Sequence, residues 1–287
     1  LPPGGAFLFR AEFSPTFIIL YPVAIRRLLK LKKYPQLPTG GNELSYKKTF
    51  LILLSILTLG TFGNNSLAAS DEEIVAKLRQ PENSTGNIAD AVEAITGSRG
   101  WMSSDMKPLF DVKIVGKAAT VLMRRGLRSD QRNYTPHHLQ LLDTAEPGSV
   151  LIYVMENALE IAAIGNLMAT TAKLRDIEGI VIDGATRDIA AIKSMQFPVF
   201  TRRVSPATSV GRMIPVDKQI PVTCGGILVN PGDFIIGDPD GVVVVPHHAA
   251  EEVLELLATY DEKESKMMTI IQREKSIIKA IEIYNRY

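Results

Sequence analysis

Residues 178–192 read EGIVIDGATRDIAAI. An apolar run, Ile180-Val181-Ile182, stops at Asp183-Gly184, and a charged pair, Arg187-Asp188, stands where a helix over about residues 187–195 is predicted to begin. Upstream lies a helix-like stretch from Gly165 to Arg175, and before it the strand-like SVLIYVM, which follows the turn EPG at 146–148. Downstream comes the short strand PVFT. Strand, helix, strand, helix, strand in about 50 residues is the signature of parallel pairing through right-handed crossovers.

Beyond this unit the Gly- and Pro-punctuated runs IPVTC, GILVN, DFIIGD and GVVVVP predict short strands in antiparallel or barrel-like packing beside the parallel unit. Before it, VKIVG and ATVLM are strand-like and TPHHLQLLDTA is helical. Ser70 and Glu73 have capping-box spacing and open a short helix carrying Ile74 and Leu78 that stops near Pro81. NIADAVEAITG repeats apolar residues at helical spacing and ends at Gly97. The tail from His247 to Tyr287 carries Val253, Leu256, Leu257, Tyr260, Ile270, Ile271, Ile277, Ile278 and Ile281 as one long helix or two in series, a natural oligomer contact. No internal repeat or low-complexity linker follows residue 70, so residues 69–287 are expected to form a single compact α/β domain with a long C-terminal helix.

The 287 residues are 46% hydrophobic and 22% charged, in the range of an ordinary globular protein. A net charge of +1, with no long basic block in the folded part, argues against a nucleic-acid partner. The single cysteine, Cys224 in IPVTCGG, rules out an intrachain disulfide framework and is expected to be a small buried residue at a strand end rather than a nucleophile.

Residues 46–70, YKKTFLILLSILTLGTFGNNSLAAS, have the layout of a secretory signal peptide: a Lys pair, an apolar stretch from Phe50 to Phe62, and small residues around Ser66-Leu67-Ala68. A buried helix or a membrane anchor is the alternative, but the run is short for a full span. A leader over 46–68 is expected, cut after Ala68 so that Ala69 or Ser70 begins a secreted or periplasmic mature chain with no membrane span. Residues 1–45 mix FIILYPVAI with the basic RRLLKLKK. They are either an upstream stretch included by start assignment or a second targeting element, and are set outside the fold.

If SVLIYVM and GIVID are parallel, their carboxyl ends lead to two helix starts, one carrying Gly165, Asn166, Leu167 and Met168, the other Thr186, Arg187 and Asp188. Ligands of α/β folds lie outside the carboxyl ends of strands, where helix N-termini offer unpaired N–H groups to carboxylates or phosphates. Gly165, with no Cβ, admits a close backbone approach. Arg187 can hold a carboxylate or a developing oxyanion, and Asp188 a hard divalent cation. The structural alternative is that Asp188 complements the helix dipole and Arg187 pairs with a surface acid. His137 and His138 are adjacent, and helical neighbours diverge by about 100°, so they are poorly placed to grip one metal and are expected to be solvated or capping.

The stretch GNLMATTAKLRDIEGIVIDGATRDIAAIKSMQFPVFTRRVSP, with VNPGDFIIGDPDGVVVVP downstream, resembles the RraA-like family, which holds the 4-hydroxy-4-methyl-2-oxoglutarate aldolases and the ribonuclease E regulator. DGATRD and NPGD…GDPDGVVVVP, in that order, are its most specific parts. The resemblance implies a swivelling β/β/α fold and a homotrimer with sites between subunits. It further implies a lyase that uses Mg²⁺ or Mn²⁺ to cleave a 4-hydroxy-2-oxo acid through a pyruvate enolate, and that can decarboxylate oxaloacetate. The aldolases carry Asp, twenty residues, then Arg-Asp; here Arg187-Asp188 match the second half and Asn166 replaces the Asp. By the same resemblance Arg187 contacts substrate, Asp188 with Asn166 faces the metal, Gly165 to Met168 cradle the substrate carboxylate, and Glu264, with Glu262 the nearby competitor, enters from a neighbour's C-terminal helix. Asn166 can ligate through its carbonyl oxygen but brings no charge and cannot act as a base. The alternative the family offers is a non-catalytic binding protein like the ribonuclease E regulator.

Overall fold

The computed structural model describes residues 69–127 and 135–284; the expected leader and the segment before it lie outside the described residues. Helix α1 (Asp71–Leu78) opens as its sequence predicts: Ser70 Oγ accepts from the Glu73 N–H and the Glu73 carboxylate accepts from the Ser70 N–H. Helix α2 (Thr85–Thr96) ends on Gly97, whose φ of +66° suits a residue without Cβ. The two-residue strand β1 (Lys107–Pro108) precedes β2 (Ile114–Arg125). Then come α3 (His137–Thr144), β3 (Val150–Glu156), β4 (Ala162–Ile164), α4 (Asn166–Leu174), β5 (Gly179–Thr186), α5 (Ile189–Ser194) and β6 (Val199–Val204). Strands β7 (Met213–Lys218), β8 (Val222–Cys224), β9 (Ile227–Val229), β10 (Phe234–Asp238) and β11 (Gly241–Val245) lead to α6 (Ala250–Glu274) and α7 (Ile277–Tyr284). The tail is thus two helices in series, and among the described residues no helix is long and apolar enough to cross a membrane.

One nine-stranded sheet runs in the order β1-β6-β5-β3-β2-β10-β11, with β4 added to β5 and β7 to β2, while β8 and β9 pair as a separate hairpin. Strands β2, β3, β5 and β6 are parallel, and β1, β7, β10 and β11 pair antiparallel to their neighbours. VKIVG and ATVLM are one continuous strand, β2, because β10 pairs with its first half while β3 and β7 flank the second.

The parallel strands read as unbroken apolar runs because both of their faces are covered. From β3, Leu151, Tyr153 and Met155 enter a layer with Leu141 and Leu142 of α3, Ala169 and Ala172 of α4 and Ile192 of α5. The alternate residues Val150, Ile152 and Val154 enter a second layer with Val222, Cys224 and Val229 of the hairpin. Helices α1, α2 and α6 cover the antiparallel end of the sheet through Leu78, Ile88, Val253 and Leu257 packed on Phe234 and Val243. Cys224 is fully buried, as expected of it, and burial pushes its thiol well above the ordinary value, which keeps it a poor nucleophile.

The histidine pair departs from expectation. Neither side chain caps α3, and the Nδ1 atoms of His137 and His138 are buried without a hydrogen-bond partner. His138 is only partly exposed, and its carbonyl accepts the buried Tyr153 hydroxyl at 2.7 Å. Burial, with repulsion from His137 added, pushes the His138 imidazole down to about 4. The folded value lies below the unfolded one of about 6.5, so between the two the unfolded chain binds more protons. The stabilisation is therefore complete above about pH 6.5 and is lost as pH falls towards 4, by up to about 3 kcal/mol. Urea denaturation between pH 7 and 4 is expected to show His138→Gln losing less stability than the wild type over this window; parallel curves would contradict the assignment.

Candidate functional site

The short strand β4 decides where the site lies. It runs parallel to β5, with Ala162 opposite Ala185 and Ile164 opposite Thr186, so the start of α4 arrives beside the end of β5. The Arg187 N–H continues the pairing by donating to the Ile164 carbonyl at 3.1 Å. Residues 165–168 and 186–188 thereby become spatial neighbours.

Asp188 occupies the left-handed region at φ +59°, which Asp tolerates better than most residues. It precedes α5 yet makes no side-chain cap to that helix. Its Oδ2 instead accepts the Asn166 N–H at 2.8 Å, capping α4, whose own N-cap residue Gly165 has no side chain to do so. The structural alternative, in which Asp188 serves a helix start, is realised at the neighbouring helix rather than at its own. Arg187 Nε lies 3.7 Å from the same Oδ2. The two side chains are 42% and 43% exposed, open enough to meet a ligand from solvent.

Gly165 is required by space rather than by backbone angle. A Cβ there would sit 2.4 Å from Asp188 Oδ2 and 2.9 Å from Arg187 Nε. Its φ of −139° is ordinary extended backbone, so the constraint is the packing of both charged side chains against it. Asn166 turns its Oδ1 along its own helix, where it accepts weakly from Thr170 at 3.4 Å. Leu167 is 83% exposed, whereas Met168 packs against the core beneath α4. Among the described residues nothing outside the helix accepts from the Leu167 or Met168 N–H, so two donors of a helix N-terminus face outwards beside a guanidinium, a constellation suited to a carboxylate.

The structure brings Gly165, Asn166, Arg187 and Asp188 together and leaves Glu264 elsewhere in the chain. Glu264 lies on α6, which packs on α1 and α2, and its Oε2 accepts from Asn87 Nδ2 at 3.1 Å. Glu262, the competitor, pairs with Lys266 one helical turn away.

A second polar group escaped the sequence reading. Asp183, four positions before Arg187, accepts from Arg202 Nη1 at 2.9 Å and from the Gly225 N–H at 2.8 Å. Arg202 Nε also donates to both oxygens of Asp105, at 3.0 and 3.1 Å. Burial raises the Asp105 carboxyl, but the hydrogen bonds and charge of Arg202, with the charge of Arg203 beside it, outweigh burial and leave the group below its ordinary value. Asp183 and Arg202 border a cavity of about 670 Å³ that also touches Glu156, Asn157 and Thr223. The available signal was a carboxylate closing the apolar run GIVID, a position that calls for a buried partner.

Residues 85–244 match the RraA-like family, described as aldolase/RraA. The chain belongs to the RraA-like family. A relative from Halalkalibacterium halodurans named "Putative 4-hydroxy-4-methyl-2-oxoglutarate aldolase" is 35% identical over 173 residues, covering 58% of this chain and 75% of that one. Protein DlpA of Legionella pneumophila is 28% identical over 202 residues, 70% of this chain but only 32% of DlpA. Among solved structures, Streptomyces coelicolor RraAS2, described as an unusual member of the RNase ES inhibitor RraA protein family, superimposes with a TM-score of 0.61 at 25% identity, covering 70% of this chain and 98% of that one. The mixed sheet with its parallel core and long C-terminal helix is thus an RraA-like fold.

The Gly165 contact yields a test within this RraA-like frame. Gly165→Ala is expected to fold with little loss of stability, because the new methyl displaces side-chain ends rather than backbone, and to lower ligand turnover or affinity about 10- to 100-fold by moving Arg187 and Asp188. A thermal melt together with a binding or turnover assay checks both halves; unchanged function would remove Gly165 from the site.

Proposed function

We propose that this RraA-like protein is a carbon–carbon lyase that cleaves a 4-hydroxy-2-oxo acid by retro-aldol reaction and can decarboxylate oxaloacetate, both through a pyruvate enolate. The observation that carries the reading is the junction of Arg187 with the open start of α4, formed by the pairing of Ile164 with Thr186. The aldolase names of relatives at this level of identity support it.

In this reading the Leu167 and Met168 N–H groups hold the substrate C1 carboxylate at the positive end of α4. Arg187 reaches the 2-oxo oxygen, where negative charge grows as the C4 hydroxyl gives its proton to water and the C3–C4 bond breaks; its charge-assisted hydrogen bonds strengthen as the enolate forms, and C3 then takes a proton from water to give pyruvate. Gly165 keeps the floor of the site low enough for both contacts. Leu167, exposed at the rim, would meet the substituent on C4.

A divalent ion fits this donor set in one way. Among the described residues no three His, Cys, Asp or Glu side chains cluster, so a closed protein-only metal centre is not built. Mg²⁺, however, is commonly held by one or two carboxylates together with waters and substrate oxygens. The second carboxylate oxygen of Asp188 is available for this while Oδ2 caps α4, and the Asn166 carbonyl oxygen, only weakly held by Thr170, is a neutral second ligand. Such an ion would supply Lewis-acid polarisation of the 2-oxo group. Glu264 would join the site from a second copy in a homotrimer. Met268, Ile277, Ile278 and Ile283 support that assembly, since each leaves more than half of its surface uncovered along the C-terminal helices.

One observation favours the alternative of a non-catalytic binding protein: Asp188 Oδ2 is already satisfied by backbone, and Asn166 lacks the charge that the aldolase pattern carries. A coupled pyruvate-release assay over 4-hydroxy-2-oxo acids and oxaloacetate, with and without Mg²⁺, separates the two. Turnover is expected, with Arg187→Ala lowering kcat/KM about 100- to 1000-fold. Absence of turnover on every acid, or an unchanged rate in Arg187→Ala, rejects the lyase.

The metal arrangement has its own test. Asn166→Asp adds a carboxylate at the first turn of α4 and is expected to tighten Mn²⁺ binding about tenfold or more, read by paramagnetic titration without substrate. Unchanged affinity would place Asn166 away from the ion.

A further inference from the structure

At the opposite end of the described chain, the Ala69 N–H donates to Glu251 Oε1 at 2.6 Å, across 182 residues of sequence. Ala69 packs against the layer formed by α1, α2 and α6, so the contact is seated rather than dangling. Glu251 lies in the first turn of α6, where a carboxylate is favoured by the helix end, and among the described residues no other hydrogen bond engages it. The next amide along, Ser70 N–H, already belongs to the Glu73 carboxylate of the capping box.

We propose that the peptide bond between Ala68 and Ala69 is a processing site, and that Glu251 is the receptor for the α-ammonium group that cleavage leaves on Ala69. In the uncut chain Glu251 meets one neutral N–H. After cleavage it meets a positive charge carrying three N–H donors, a stronger partner for a carboxylate. The sequence agrees on the same bond independently: a cut there places Ser66 and Ala68 at the two small-residue positions before it, behind the apolar run Phe50–Phe62 and the Lys47-Lys48 pair. A cut one residue later would remove the very group that Glu251 holds, which decides between Ala69 and Ser70 as the first residue. The chemistry is hydrolysis by a signal peptidase. Water adds to the Ala68 carbonyl, the C–N bond breaks, Ala68 departs as a carboxylate, and the Ala69 nitrogen takes up a proton. The inference stands on contacts remote from Arg187 and does not depend on the lyase reading.

The test expresses the whole 287-residue chain, with an initiator Met, in a bacterium with a general secretion pathway, and sequences the N-terminus of the exported protein. The expected first residue is Ala69. Acylation of that amine at neutral pH is then followed in the wild type and in Glu251→Gln, and the wild type is expected to react at least threefold more slowly because the ion pair keeps the amine protonated. An uncut chain or a first residue other than Ala69 overturns the processing site, a result that needs no variant to fold. Equal labelling rates overturn the role of Glu251.

Discussion

The hydrogen bond from the Asn166 N–H to Asp188 Oδ2, set up by the pairing of Ile164 with Thr186, is the constraint on which the candidate site depends. It explains a spacing that sequence alone presents as a bare count. Between Asn166 and Arg187 the chain descends through nine-residue α4, about 14 Å of helix, then through the connection at residues 175–178, and returns along eight-residue β5, about 26 Å of strand, so the helix and the connection together match the strand and bring the chain back to the same level. Shortening either arm would separate Arg187 from the start of α4. The left-handed backbone at Asp188 turns its carboxylate sideways onto the neighbouring helix, and the resulting cap, worth about 1 kcal/mol, offsets the cost of that conformation.

Asp188 Oδ2 serves the backbone of α4, which leaves only the other oxygen of that carboxylate for any further partner. An Asp at position 166 would bring a second negative charge to the helix start, where the dipole favours it. Asn166 lacks that charge while keeping an oxygen acceptor, and the RraA-like scaffold persists with either side chain. The fold is indifferent to the choice because the helix is capped through the backbone N–H of residue 166, which either side chain supplies equally.

What was legible in the sequence follows from how local each signal is. The caps of α1 and α2 and the buried strands β3 and β5 are written in short stretches that need no partner to interpret. Strand β4 is three residues long, and in NALEIAAIGN its apolar residues follow a helix-like Ala-Leu-Glu, so only pairing with β5 reveals it. Strand β7 contains Pro215 and meets β2 across a register shift at Leu122 and Met123, which breaks the alternation by which a strand is recognised. Arg187 and Asp188 were visible as charges at a helix start, but not which helix Asp188 caps. Asp183 and Arg202 are partners across adjacent strands, nineteen positions apart, and nothing in either segment alone names the other.

The two ends of the parallel sheet are treated differently. At the amino ends, Glu178 accepts from Arg79 at 2.7 Å and from the Val115 N–H at 3.1 Å, while Arg79 donates back to the Val115 carbonyl at 2.7 Å. Lys117, Asp71 and His247 close the same end, with Asp71 receiving bonds of 2.7 and 2.9 Å. Polar groups there are engaged with one another, which tethers α1 to the sheet. At the carboxyl ends Arg187 is half open and two amides of α4 stay unclaimed outside their helix. Unpaired donors that remain hydrated cost little in the folded state, so the sheet can leave one end open without loss of stability. That asymmetry, rather than any single residue, is what leaves the Arg187 end open to solvent while the amino end is closed.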